Sequence, residues 1–222
     1  LPELPFQCCG GSDVELYLRP RRTPLDKETV QMVCFSMTLA HQRKKDPTQV
    51  RRQLLEQAAR LSLQEGLANM SLQGIATAAG VTKGGLLHHF PSKQALVEAM
   101  FTDFLAMLDR EIDEQIAADD QTHGCFSRAY VEAMFRQGDS GMNSPCAVLG
   151  IAMLTDPGLR DLWAKWLAVR LERHRQTDGA PELEVIRYAA DGVWLADFME
   201  ARPANRADLR NRLISATKRV SS

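Results

Sequence analysis

Three times in this sequence an oxygen-bearing side chain stands directly before a proline at the head of a helical pattern: Asp46-Pro47, Ser144-Pro145 and Asp156-Pro157. Each pair is a helix start signal. The side-chain oxygen accepts from an unsatisfied N–H of the first turn, and a proline at the first helical position has no N–H to leave unsatisfied. Ser71, Thr82 and Ser92 repeat the cap without the proline. From Asp46 onward apolar residues recur at helical spacing, and no stretch shows the alternation and β-branched enrichment of a strand. The pattern predicts helices over 47–65, 72–79, 83–89, 93–118, 125–136, 145–153, 157–176, 181–200 and 206–219. We therefore expect an all-α chain of about nine helices, without internal repeats or low-complexity tracts.

Residues 1–45 differ in kind. Leu1-Pro-Glu-Leu-Pro5, Cys8-Cys9-Gly10-Gly11 and Arg19-Pro20-Arg21-Arg22 sustain no period, and the prolines break any helix early. We expect a disordered N-terminal extension, dispensable over 1–36, leading into a basic arm from Met37 to Lys45. The apolar stretch Val30 to Ala40 is interrupted by Gln31, Ser36 and Thr38, preceded by acids and followed by Arg43, Lys44 and Lys45, a poor export signal. No run approaches the roughly 18 apolar residues of a membrane span. The expectation is a cytoplasmic protein with no membrane partner. Cys8, Cys9, Cys34, Cys125 and Cys146 have neither zinc-ribbon nor Cys-x-x-Cys spacing and read as reduced thiols in that compartment.

Charge is distributed unevenly. Between Arg43 and Lys93 eight basic residues stand against three acidic ones, a local charge of +5 in a chain of net charge −1, so the remainder carries −6. A basic module on an acidic body can hold phosphates at one end while the body stays clear. Within 46–92, Val50, Leu54, Ala58 and Leu61 share one face of the first helix, and Arg51 and Arg52 point elsewhere. Two short helices follow. Ala76 is small enough for a close crossing, Gly80 can leave the first of them with positive φ, and Leu72, Ile75, Val81 and Leu86 face inward. Thr82, Lys83, Gly84, Leu87 and His88 are left facing outward, small or cationic at the N-terminal end, as a helix seated in a major groove requires.

The stretch Ser71-Leu-Gln-Gly-Ile-Ala-Thr-Ala-Ala-Gly-Val-Thr-Lys-Gly-Gly-Leu-Leu-His-His-Phe-Pro-Ser-Lys93-Gln-Ala-Leu96 resembles the DNA-binding signature of the tetracycline-repressor (TetR) family, the likeness being specific over about 48–105. The resemblance implies that Ser71 and Thr82 contact phosphate from helix N-termini and that Lys83, Gly84 and His88 lie near base edges or phosphates. It also implies that Phe90 packs beneath the recognition helix and that Lys93 clamps the DNA backbone. Leu87 stands where the family usually has tyrosine and could touch a thymine methyl. Gly74 replaces a usual polar residue and weakens its helix by roughly 1 kcal/mol relative to alanine. With Arg51 and His89 these make the expected DNA-contacting set. Adjacent histidines project about 100° apart on a helix, so His88 and His89 are not read as a metal pair, and neither metal nor cofactor is expected.

Residues 93–222 read as a larger helical bundle for ligand binding and dimerisation. Met100, Phe104, Met107, Leu108, Phe126, Tyr130, Met134, Met153, Trp163, Trp166 and Trp194 are the candidates to line an adaptable apolar pocket. Val185, Tyr188, Ala189, Gly192, Val193, Ala196 and Met199, with Leu209 and Leu213, are candidates for a dimer interface, the small residues permitting close helix approach. A four-helix interface from two copies is what the resemblance implies. No Ser/His/Asp order, phosphate loop or His-x-x-x-His supports an enzyme, and Asp191 and Asp197 are expected to cap or pair. The expected function is a dimeric repressor released from a palindromic operator by a small apolar or amphipathic effector. The alternatives are a constitutive DNA-binding protein with no effector, which a filled core would favour, and an all-helical enzyme.

Overall fold

The computed structural model describes residues 46–139 and 144–218; the expected extension and arm, with Cys8, Cys9 and Cys34, lie outside them. Among the described residues every regular element is a helix. These are α1 (Pro47–Asn69), α2 (Leu72–Ala78), α3 (Lys83–His89), α4 (Lys93–Ala118), α5 (Cys125–Asp139), α6 (Pro145–Thr155), α7 (Pro157–Arg173), α8 (Arg175–Asp178), α9 (Pro181–Phe198) and α10 (Arg206–Ala216). The described residues thus hold one element beyond the expected nine, the single turn α8. His174, at φ −103° and ψ 15°, separates it from α7 where one helix is predicted over 157–176.

The local start signals all form. Asp46 accepts from Thr48 N at 3.0 Å, Ser71 from Gly74 N at 3.0 Å and Thr82 from Gly85 N at 3.0 Å. Ser92 accepts from Ala95 N at 3.0 Å, Ser144 from Ala147 N at 3.1 Å, and Asp156 from Gly158 N at 2.8 Å and Leu159 N at 3.1 Å. The start of α5 carries no local cap. A distant one serves it: buried Asp178 accepts from Ser127 N at 2.7 Å and Phe126 N at 3.3 Å. In α1 helical dihedrals fail at Gly66, where φ 76° and ψ 156° lie in a region essentially restricted to glycine. The predicted stop at residue 65 is this break, after which one further turn follows.

Two apolar cores stack along α4. The first joins Val50, Leu54 and Ala58 of α1 to Ile75, Ala76, Leu86 and Phe90, and continues through Leu96 to Leu105 on α4 and into Leu149 and Leu159. The second gathers Leu108 and Ile112 of α4 with Phe126, Tyr130 and Phe135 of α5 and with Leu183, Ile186, Ala190 and Val193 of α9. Phe104, Trp163 and Trp166 are partly buried against both. The helix-turn-helix is therefore packed onto the body through α1, α4 and α6 rather than strung on a linker.

Candidate nucleic-acid interface and effector cavity

The turn between α2 and α3 closes as a helix C-terminus must when glycine follows it. Gly80 leaves with φ 64°, its N–H donates to Thr77 O at 3.1 Å, and Val81 N–H donates to Ala76 O at 2.9 Å. These bonds satisfy carbonyls that the end of α2 would otherwise expose. Ala76, fully buried, sits at the crossing, and Leu86 is fully buried beneath α3.

On α3, Lys83, Gly84, Leu87 and His88 are exposed and share one face by their spacing, with Thr82 exposed at its head. His89 is half-buried, turned between His88 and Phe90 with ring centroids 5.5 Å and 6.5 Å away. Ser71 and Thr82 use their oxygens as caps, which leaves each hydroxyl proton free to donate to a phosphate. Lys93 Nζ reaches back to Ala68 O at 2.8 Å, fastening the end of α1 to the start of α4 and leaving two ammonium protons. Arg51 lies over the Phe90 ring at 5.3 Å. Between Glu65 and Glu98 the sequence holds no acid, so α2 and α3 themselves carry no carboxylate to offset the field of Lys83.

A cavity of about 310 Å³ opens where the two cores meet. Phe104, Met134, Met153, Trp163 and Trp194 line it. The other pocket candidates, Met100, Met107, Leu108, Phe126, Tyr130 and Trp166, do not. Met100 packs in the first core, while Leu108, Phe126 and Tyr130 are buried in the second. Trp166 is held aside by its indole N–H, which donates to Asp109 Oδ1 at 2.7 Å. Asp109 also takes Arg170 Nε at 2.5 Å, and buried Arg170 reaches Asp113 with its NH1.

Sequence reasoning missed Phe101, Gln137, Gly150, Leu154, Asp191 and Leu195 in this wall, and Gly192 was assigned elsewhere. Two signals were available. Gly150 interrupts an apolar helix, and Asp191 is the one acid between Glu184 and Asp197. Asp197 pairs as expected, with Arg206 NH2 at 2.8 Å and Arg202 Nε at 3.4 Å. Asp191 instead accepts from the Tyr130 hydroxyl at 2.6 Å. Burial raises the Asp191 carboxyl above the usual carboxylate range, against the pull of that hydrogen bond and of Arg187.

Of the dimer candidates, Val185 and Tyr188 are 67% and 69% exposed, and Gly192 is exposed with them. Ala189 and Ala196 are half-buried, Val193 is buried in its own core, and Leu209 and Leu213 pack half-buried against that core. Leu195, unforeseen, and the expected Met199, at the C-cap of α9, extend the exposed stripe.

Cys125, His174 and Asp178 bring one potential metal-ligating atom each within 4.8 Å of one another. The Asp178 oxygens already accept from Phe126 N, Ser127 N and Thr177 Oγ1, and His174 stacks flat on Phe126 at 5.1 Å. A cation there would have to displace those donors.

A helix-turn-helix whose second and third helices carry no acid, packed on a hollow all-helical body, defines a one-component regulator in architecture. Residues 54–100 match the model of "Bacterial regulatory proteins, tetR family", and residues 124–218 match a "Tetracyclin repressor-like, C-terminal domain". The chain belongs to the tetR family. It is 38% identical over 84 residues to the HTH-type transcriptional repressor KstR2 of Rhodococcus jostii, covering 38% of this chain and 39% of that protein. The chain thus matches about two fifths of that relative's length. In fold it is similar to a member of the TetR family (SCO1917) from Streptomyces coelicolor, at TM-score 0.60 and 20% identity over 76% of this chain and 98% of the other. It is likewise similar to the multidrug binding protein EbrR complexed with malachite green, at TM-score 0.61 and 19% identity over 76% and 98%.

Proposed function

We propose that this chain is a homodimeric repressor that holds a palindromic operator through α3 and releases it when a small apolar or amphipathic molecule enters the cavity. The observation that carries the reading is the position of that cavity. Its wall includes Phe101 and Phe104 of α4, and Gly150, Met153 and Leu154 of α6. Helix α4 begins at Lys93 beside the helix-turn-helix, and α6 packs on α1. Gln94 also reaches Asp156, between α6 and α7, at 3.2 Å. A ligand that prefers a different spacing of α4 and α6 must shift α1 and the recognition helix with them, and it can bias the equilibrium only by that preference.

The residues proposed to contact DNA are Arg51, Ser71, Thr82, Lys83, Gly84, Leu87, His88, His89 and Lys93, with 46–92 as the DNA-binding head and 93–222 as the effector and dimer body. Dimerisation is proposed through the exposed stripe of α9 and its C-cap, Val185, Tyr188, Gly192, Leu195 and Met199, at spacings of three and four. KstR2 is named a repressor, and the multidrug binding protein EbrR was crystallised with malachite green, which supports both halves of the reading. A cytoplasmic location follows from the proposed target; among the described residues no helix is long and apolar enough to cross a membrane.

Genomic DNA captured by the purified chain gives the operator. Mobility shifts of that fragment with increasing effector then test the switch. Release of DNA at effector saturation is expected, and an affinity indifferent to every bound ligand rejects the effector role.

A further inference from the structure

We propose that the effector is an organic cation, an ammonium or a delocalised iminium on an apolar body, with Asp191 as its counter-ion in the cavity wall. The proposal rests on the effector reading above and adds the charge and shape of the ligand.

The argument begins with how acids on this body are treated. Asp119 bonds Arg128 at 2.7 Å, Asp109 bonds Arg170, Asp197 bonds Arg206, Glu132 bonds Arg210, and Asp178 caps α5. Buried charge without such a partner is costly, so each of these is paired or capped. Asp191 is the exception. Among the described residues its Oδ1 takes the Tyr130 hydroxyl and its Oδ2 takes no hydrogen bond. Arg187, the cation whose field it feels, directs NH1 elsewhere, to Ser127 Oγ at 2.8 Å and Asp178 O at 3.2 Å.

The space beside this carboxylate is bordered by aromatic side chains. Trp163, Trp194, Phe101 and Phe104 line it, and its polar side chains are Asp191 and Gln137. An aromatic wall attracts a cation through the negative faces of its rings, and does so most when the cation is desolvated. An anion would meet Asp191 and those same faces as repulsion. A neutral apolar molecule would fill the space and leave the carboxylate with only its phenol. A cation with an apolar body satisfies both features. Tyr130 fixes the rotamer of Asp191 by its hydroxyl, so the charge is held in place before the ligand arrives.

Three probes of one shape separate charge from fit: benzyltrimethylammonium, its uncharged carbon analogue neopentylbenzene, and the anion phenylmethanesulfonate. Each is titrated into the full chain and followed by quenching of tryptophan fluorescence. The ammonium is expected to bind at least about tenfold tighter than its uncharged analogue, and the anion more weakly than either. Asp191→Asn keeps the shape and should remove most of the preference by weakening the ammonium alone, leaving what the aromatic wall contributes, while Asp191→Glu should retain more of it. Unchanged thermal midpoints establish that both variants fold. Equal affinity for ammonium and uncharged probe, or a preference undiminished in Asp191→Asn, overturns the proposal and leaves the effector reading standing. Binding of none overturns it as well, and the operator titration then decides separately whether the effector reading falls with it.

Discussion

A Cβ placed on Gly150 would stand 2.7 Å from Cζ2 of Trp194, so the indole at the cavity wall occupies space that only glycine leaves free. Gly150 lies inside α6, where alanine is favoured over glycine by about 1 kcal/mol. The two effects act on different observables. Gly150→Ala pushes the indole into the cavity, which has room for it, and strengthens the helix. We expect the ligand-free midpoint to hold or rise, and affinity for any cavity ligand to fall by about tenfold, equivalent to roughly 1.4 kcal/mol. Paired melting and fluorescence titrations check both. A lowered midpoint with unchanged affinity would show that Trp194 does not shape the cavity.

The break at Gly66 is a second position where glycine is required, for a different reason. Nothing lies within 4 Å of a Cβ there, so space is not the constraint; the dihedrals are. Gly66→Ala should cost on the order of 1–3 kcal/mol in denaturant unfolding. Gly80→Ala, equally open but near left-handed helical dihedrals at φ 64°, should cost less, about 1–2 kcal/mol. A reversed order would mean that α1 straightens without penalty.

His174 gives the fold a pH dependence. Burial lowers its pKa from the ordinary 6.5, and Arg170 and Arg173 add to the effect, against Asp178 and Asp113. In the window between its depressed folded value and 6.5 the unfolded chain binds more protons, so stability rises with pH there and is lost as pH falls. His174→Phe keeps the flat stack on Phe126 and removes the titration. Midpoints measured from pH 5 to 8 should therefore fall less steeply toward acid in the variant. Identical pH slopes would remove His174 from the account.

What the sequence made legible was local. Caps at Asp46, Ser71, Thr82, Ser92, Ser144 and Asp156 lie within three residues of the N–H groups they serve, so each is readable where it stands. The cap of α5 was not, because Asp178 comes from 51 residues away along the chain. The cavity divides likewise. Helical spacing placed Leu108, Phe126 and Tyr130 on inward faces, and they are inward; it could not say that they fill the second core while Phe104 and Trp163 border empty space. Trp166 is excluded by a single hydrogen bond to Asp109, a partner 57 residues distant. Asp191 stood out only as an acid in an apolar run, and its role depended on Arg187 being engaged elsewhere.

Everything turns on α3 meeting duplex DNA, and the most direct measurement is the salt dependence of binding to the captured operator fragment. Each phosphate contact contributes about 0.9 to the slope of log affinity against log salt on B-form DNA. Lys83→Gln should weaken binding and reduce that slope by about 0.9, and adding Lys93→Gln by about 0.9 more. An affinity and a slope unchanged in the double variant, with the fold intact, would contradict the account at its centre.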